Sequence, residues 1–131
     1  MANKSEKIAV LGAGTMGAGI AQVSAQAGYE TLVYDVKQEF IDAGLARVRN
    51  FLQGSRTRGR LSAEQEQEIL DRFRTTTSLE DCRGAALVIE AAPEKLDLKR
   101  DIFKQLDSIC APETLLASNT SSFSITAIAA A

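Results

Sequence analysis

Apolar positions along this chain come in two rhythms, short solid runs and stripes at helical spacing, and the two alternate. Lys7 to Leu11 (Lys-Ile-Ala-Val-Leu) reads as a short buried strand ended by Gly12. Met16, Ile20, Val23 and Ala27 then fall at i, i+4, i+7 and i+11, which predicts a helix with these four on its buried stripe. Gly28 stands where such a helix stops. Thr31 to Tyr34 is a second strand, rich in β-formers and closed by Asp35. Strand, glycine turn, helix and strand within about thirty residues make one βαβ unit, with a right-handed crossover and parallel strands.

Ile41, Leu45, Val48 and Leu52 mark one face of the next helix. Gly54 and Gly59 bracket a polar turn, and Ser62-Ala63-Glu64-Gln65 is a capping-box start for a further helix through about Asp71. This pair is expected to be a helical hairpin inserted before a third strand, Phe73 to Thr77. Ala86 to Glu90 is a fourth strand, apolar on both faces as a central parallel strand requires. Beyond Pro93, Leu98, Ile102, Leu106 and Ile109 share one side of a helix. Thr114 to Ala117 makes a fifth strand, and the turn Ser118-Asn119-Thr120-Ser121-Ser122 leads into an incipient helix from about Ser124. The fold class expected is α/β, a doubly wound parallel sheet of the Rossmann type with five of its six core strands present. Residues 1–6 are expected to be a flexible N-terminus and residues 7–131 one domain, incomplete at its C-terminal end. A sixth strand being absent, the fifth is expected to be a raw edge, prone to self-association or a frayed end.

Composition narrows the picture. The 131 residues suffice for one ordinary domain, and 45% hydrophobic with 24% charged residues argues against wholesale disorder. A formal charge of −2 offers no basic excess for nucleic acid or a membrane surface. No apolar run approaches the ~20 residues that span a bilayer. The first apolar stretch breaks at Gly12, too soon for a secretory signal, so a cytoplasmic location is expected. Cys82 and Cys110 have no CxxC partner and read as small buried or half-buried apolar residues, with neither disulfide nor metal implied. There is no histidine, which removes the commonest general base and metal ligand from this chain.

Gly12-Ala13-Gly14-Thr15-Met16-Gly17 is a G-x-G-x-x-G lying between a predicted strand and a predicted helix, the context in which that pattern binds a dinucleotide. Gly12 permits a tight turn, Gly14 clears the approach of a pyrophosphate to the backbone, and Gly17 lets helix and strand pack closely. Unpaired N–H groups and the positive end of the helix dipole near Thr15 and Met16 attract phosphate charge. Asp35, eighteen residues beyond Gly17, stands where a carboxylate accepts hydrogen bonds from the adenosine ribose and repels a 2′-phosphate. This favours NAD over NADP, with Lys37 keeping the second option alive. The bland alternative gives the glycines a turn and Asp35 a helix cap. A methyltransferase glycine loop is another, less suited to three glycines at this spacing.

With Val10 to Gly17 at one end, Val88-Ile89-Glu90-Ala91-Ala92-Pro93-Glu94 in the middle and Ala117 to Ser122 at the other, the chain resembles the L-3-hydroxyacyl-CoA dehydrogenases, including the 3-hydroxybutyryl-CoA dehydrogenases. The resemblance implies an oxidoreductase of fatty acid metabolism that moves a hydride between a 3-hydroxyacyl-CoA and NAD. It makes Ser121 the catalytic-site serine bonded to the substrate's 3-oxygen. Asn119, Glu94 and Lys99 become contacts on the nicotinamide side. Glu90, Glu94, Asn119 and Ser121 all follow the fourth and fifth strands, so all could reach the crevice over the carboxyl ends of the strands. Surface pairing for Glu94 and Lys99 and turn bonds for Ser121 and Ser122 are the plain alternatives. In the family the catalytic histidine and its glutamate partner follow the next strand, and a helical domain closes over the acyl chain and makes the homodimer. This chain is therefore expected to be a fragment with little or no turnover, a serine hydroxyl being unable to take the proton near neutral pH.

Arg47, Arg49, Arg56, Arg58 and Arg60 gather about the hairpin and could meet the phosphates of coenzyme A. The family's contact positions do not match cleanly, Gly44 and Phe51 standing where polar residues would be expected. A solvated basic face balanced by Glu64, Glu66 and Glu68 is favoured. The rival readings are a binding module that holds NAD without chemistry, a related hydroxy-acid dehydrogenase, and a structural or regulatory protein that binds no nucleotide.

Overall fold

The computed structural model describes residues 6–91, 96–109 and 115–118. Five short apolar runs form strands: β1 (Lys7–Leu11), β2 (Glu30–Tyr34), β3 (Phe73–Thr76), β4 (Ala85–Glu90) and β5 (Leu115–Ser118). They make one sheet in the order β3-β2-β1-β4-β5, every neighbouring pair parallel. The doubly wound parallel sheet expected from the sequence is present, with β3 and β5 at its edges. Strand ends differ from expectation by a residue: β2 gains Glu30, β3 stops at Thr76, β4 gains Ala85, and β5 is displaced by one.

Alternation along each strand sends its side chains to two separate cores. Ala9, Leu11, Leu32 and Val88 face one side. There they pack with Leu79 and Cys82 of a short 3-10 turn and with Ile102 and Leu106 of helix α4 (Leu96–Ile109). Ile8, Val10, Val33, Leu87 and Ile89 face the other side, towards α1 (Thr15–Gln26) and α2 (Gln38–Thr57). Cys82 is fully buried, as its apolar reading required, while Cys110 lies outside the described residues.

The expected stripe of α1 is corrected. Met16 and Val23 are 60% and 66% exposed, Ala27 is exposed and Ile20 half-buried. The buried face is instead Gly17, Ala18, Ala21, Ser24 and Ala25. The physical reason is closeness: a helix that starts directly over the end of β1 has room only for small side chains between itself and its neighbours. Gly28, with φ of 104°, ends the helix in the left-handed conformation, as expected.

The hairpin of α2 and α3 (Ala63–Asp71) is also present, with Ile41, Val48 and Leu52 buried on α2. Its turn is shorter than expected, because α2 runs through Gly54 to Thr57. Gly54 tolerates helical geometry and gives the Arg58 guanidinium, about 3.5 Å from where a Cβ would stand, room to fold back. The capping box forms as read: Gln65 N–H donates to Ser62 Oγ at 3.0 Å, and Ser62 N–H to Gln65 Oε1 at 2.9 Å.

Two substitutions test the corrected face of α1. Ala25→Leu is expected to lower stability by about 1–3 kcal/mol through overpacking, whereas Val23→Ser shifts it by less than about 0.5 kcal/mol. Urea unfolding monitored by circular dichroism reads both.

Candidate functional site

The carboxyl ends of the strands form one row, with Leu11 beside Tyr34 and Glu90, Tyr34 beside Thr76, and Glu90 beside Ser118. From the middle of that row the chain leaves β1 through Gly12, whose φ of 106° no L side chain adopts readily. The Gly12 N–H donates to the Tyr34 carbonyl at 2.7 Å, and the Ala91 N–H to the Leu11 carbonyl at 2.8 Å. The glycine turn is thus tied to strands on both sides.

Each glycine of the motif has a different structural reason. A Cβ on Gly17 would overlap the Gly12 carbonyl oxygen outright, so α1 can begin this close to β1 only without a side chain there. Gly14 is different. Its φ of −69° suits any residue, and a Cβ there would meet nothing within 4 Å. It points into open space at the head of α1, whose first turn carries no acidic residue and no side-chain cap. Uncapped amides, a positive dipole end and a space that a side chain would fill form a cradle for phosphate. Thr15 and Met16, both exposed, flank it.

Asp35 stands beside this cradle, half-buried. Its Oδ2 accepts from the Ala13 N–H at 2.9 Å, and its Oδ1 from the Val36 N–H at 2.7 Å. Lys37 opens α2, and its ammonium lies 5.8 Å above the Phe40 ring. Val36, which follows Asp35, and Phe40, in the first turn of α2, are exposed apolar surface of a kind that suits the flat face of a base. Glu90, expected to reach the crevice, is fully buried and so enclosed within the domain.

One residue of the site escaped sequence reasoning. Gly44, which stands in the sequence where a polar residue would be expected, is buried where α2 crosses the glycine turn. A Cβ on it would lie 2.5 Å from the Ala13 carbonyl oxygen and 3.0 Å from the Ala13 Cβ. The position needs glycine because it touches Ala13. No periodic signal distinguishes that from an ordinary gap in an apolar stripe.

The remaining expected site residues are not brought into this geometry. Lys99 falls within α4. Glu94, Asn119 and Ser121 lie outside the described residues. Among the described residues no group of three or more His, Cys, Asp or Glu could hold a metal ion. The hairpin arginines are all exposed, Arg56 pairs with Glu66 at 2.8 Å, and Arg58 folds onto its own helix end, in keeping with a solvated basic face.

A glycine turn leading into an uncapped helix over the middle of a parallel sheet, with a carboxylate at the end of the next strand, defines a dinucleotide-binding domain of the dehydrogenase type. Residues 7–131 match the family model described as 3-hydroxyacyl-CoA dehydrogenase, NAD binding domain. The chain belongs to that family, and its cofactor is NAD. It is 46% identical over 125 residues to the 3-hydroxyadipyl-CoA dehydrogenase of Escherichia coli (strain K12), covering 95% of this chain and 26% of that protein. The probable 3-hydroxybutyryl-CoA dehydrogenase of Deinococcus radiodurans is also 46% identical, over 95% of this chain and 45% of that protein. A crystal structure of 3-hydroxybutyryl-CoA dehydrogenase from E. coli K12 superposes with a TM-score of 0.94 at 44% identity, covering 98% of this chain and 27% of that one. The chain thus spans between about a quarter and just under half the length of these relatives.

The same substitution at two glycines should act with opposite signs. Gly44→Ala forces the turn and α2 apart, so stability falls by about 1–3 kcal/mol and affinity for NADH drops with it. Gly19→Ala, in α1 with nothing within 4 Å, gains about 0.5–1 kcal/mol from its lower unfolded-state entropy and leaves affinity unchanged. Thermal unfolding and NADH fluorescence titration check both.

The Tyr34 phenol supplies a pH test. Burial, the neighbouring Asp35 carboxylate and the Cys82 thiol push its pKa above the ordinary value of 10.0. The folded state holds this proton after the unfolded chain has released it, so stability falls as pH rises above about 10. Tyr34→Phe is expected to flatten that decline in urea unfolding measured between pH 9 and 11 (a window set by the ordinary tyrosine range of about 10).

Proposed function

We propose that this chain is the NAD-binding half of a 3-hydroxyacyl-CoA dehydrogenase acting on short acyl chains. The open, uncapped cradle at Gly14 beside the Asp35 carboxylate is the observation that carries the reading. Backbone amides at the head of α1 hold the pyrophosphate, and Asp35 accepts the adenosine ribose hydroxyls and repels a 2′-phosphate. When bound, the nicotinamide supplies the acceptor for a hydride from C3 of the substrate. Ser121 donates a hydrogen bond to the 3-oxygen, while Asn119, Glu94 and Lys99 line the nicotinamide side. These four roles rest on the match of this segment to the family model.

The proton of the alcohol needs another acceptor. A serine hydroxyl does not take it near neutral pH, and the 131 residues contain no histidine. In this reading the base, the cover over the acyl chain and the homodimer contact come from the remainder of the longer protein, which works in the cytoplasm. Taken alone, the chain is a module that holds NAD without turnover. The hairpin arginines have no assigned part, since Arg56 and Arg58 are engaged locally.

Calorimetry with NADH and NADPH, run beside a turnover assay with acetoacetyl-CoA, tests this. The 131-residue chain is expected to bind NADH at least about tenfold more tightly than NADPH, a difference of ~1.4 kcal/mol, and to show no turnover. The full reading frame is expected to turn over. Equal affinity for the two cofactors, or no saturable NADH binding by a folded sample, refutes the proposal.

A further inference from the structure

Asp35 is engaged before any sugar reaches it. One carboxylate oxygen accepts from the Ala13 N–H at 2.9 Å and the other from the Val36 N–H at 2.7 Å. These donors come from different places. Val36 is the next residue in the chain, whereas Ala13 lies 22 residues away in the glycine turn. The carboxylate therefore bridges the end of β2 to the turn after β1.

Ala13 is the part of the turn with the most restraints. Its methyl group is buried, its carbonyl faces Gly44 of α2, and the preceding amide is held by the Tyr34 carbonyl. The Asp35 bond fixes its remaining polar group. Immediately after it comes Gly14, at the open cradle. Whatever orients the Ala13 peptide also aims the amides that follow.

We propose that Asp35 is a positioning residue for the glycine turn, its carboxylate holding Ala13 so that the phosphate cradle is formed in the ligand-free protein. The chemistry demands a carboxylate for a reason separate from the sugar. An ionised carboxylate only accepts and offers about four lone-pair sites. Two are taken by backbone N–H groups on opposite oxygens, which also fixes its rotation. One site remains on each oxygen, enough for two vicinal hydroxyls. An asparagine has one oxygen and one NH2 group, so one of the two backbone N–H groups would face a donor. Sugar hydroxyls donate and accept equally well, and for them alone asparagine would be a fair substitute.

The ligand side of this inference rests on the NAD-binding reading, but the hold on the turn does not, and the experiment separates them. Amide hydrogen exchange by NMR on the ligand-free 131-residue chain is compared with its Asp35→Asn and Asp35→Ala variants. Affinity for inorganic pyrophosphate, which has no sugar, is measured beside that for NADH. The Ala13 amide is expected to be protected in the unsubstituted chain and to exchange about tenfold faster in Asp35→Ala, the worth of one hydrogen bond; in Asp35→Asn the same is expected of whichever of the Ala13 and Val36 amides meets the NH2 group. Pyrophosphate and NADH affinities are both expected to fall, by about tenfold each, in the variant that frees the Ala13 amide. Should Asp35→Ala not fold, Asp35→Asn carries the comparison. An unprotected Ala13 amide in the unsubstituted chain, unchanged protection of both amides in Asp35→Asn, or pyrophosphate binding that is absent or insensitive to loss of the Ala13 protection overturns the proposal. Failure of NADH to bind while Ala13 behaves as expected would instead refute the NAD reading and leave the hold on the turn standing.

Discussion

The close approach of Gly17 at the start of α1 to the Gly12 carbonyl at the exit of β1 sets the geometry of everything around it. No side chain fits there. The helix can therefore begin almost on top of the strand it has just left, its N-terminal amides converging above the middle of the sheet. The same closeness makes the rest of its inner face small: Ala18, Ala21, Ser24 and Ala25. A larger face would lift α1 off the sheet, and the cradle at Gly14 would open away from the strand ends.

The turn does not hold itself. It is gripped from β2 by the Tyr34 carbonyl and the Asp35 carboxylate, from the side by the Leu11–Ala91 bond, and from α2 by the contact of Gly44 with Ala13. Backbone amides that must meet two phosphates gain most when their direction is settled beforehand, since ordering them on binding would subtract from the affinity. The domain meets that requirement with residues from the end of β2, the end of β4 and α2 rather than with a rigid loop.

Much of this was legible in the sequence because its causes are local. Gly12 and Gly17 are glycines that geometry requires, and their spacing against a strand and a helix announces the turn. The capping box of Ser62 and Gln65 is local in the same sense and formed as read. The inner face of α1 was not legible, because periodicity ranks positions by apolar size. Met16 and Val23 outrank Ala18 and Ala25 on that scale, although closeness selects for the small ones. Gly54 read as a breaker where an exposed helix end simply tolerates it. Gly44 read as the absence of a polar group, its purpose being a contact with a residue 31 positions earlier that only the packed fold reveals. Asp35 was placed correctly by spacing, but spacing could not show that both its oxygens already hold backbone N–H groups.

The contact between Gly44 and Ala13 also limits how the length of the chain can vary. Between Asp35 and Gly44 the path is short and mostly helical, so inserting or deleting a single residue would rotate Gly44 by about 100° and drive a bulky neighbour into the turn. The hairpin tip from Arg56 to Arg60 is exposed throughout and can lengthen, shorten or change its charges with little effect on the turn. Diversity among domains of this design should therefore collect at the tip of the hairpin, while the segment joining β2 to the start of α2 keeps its residue count.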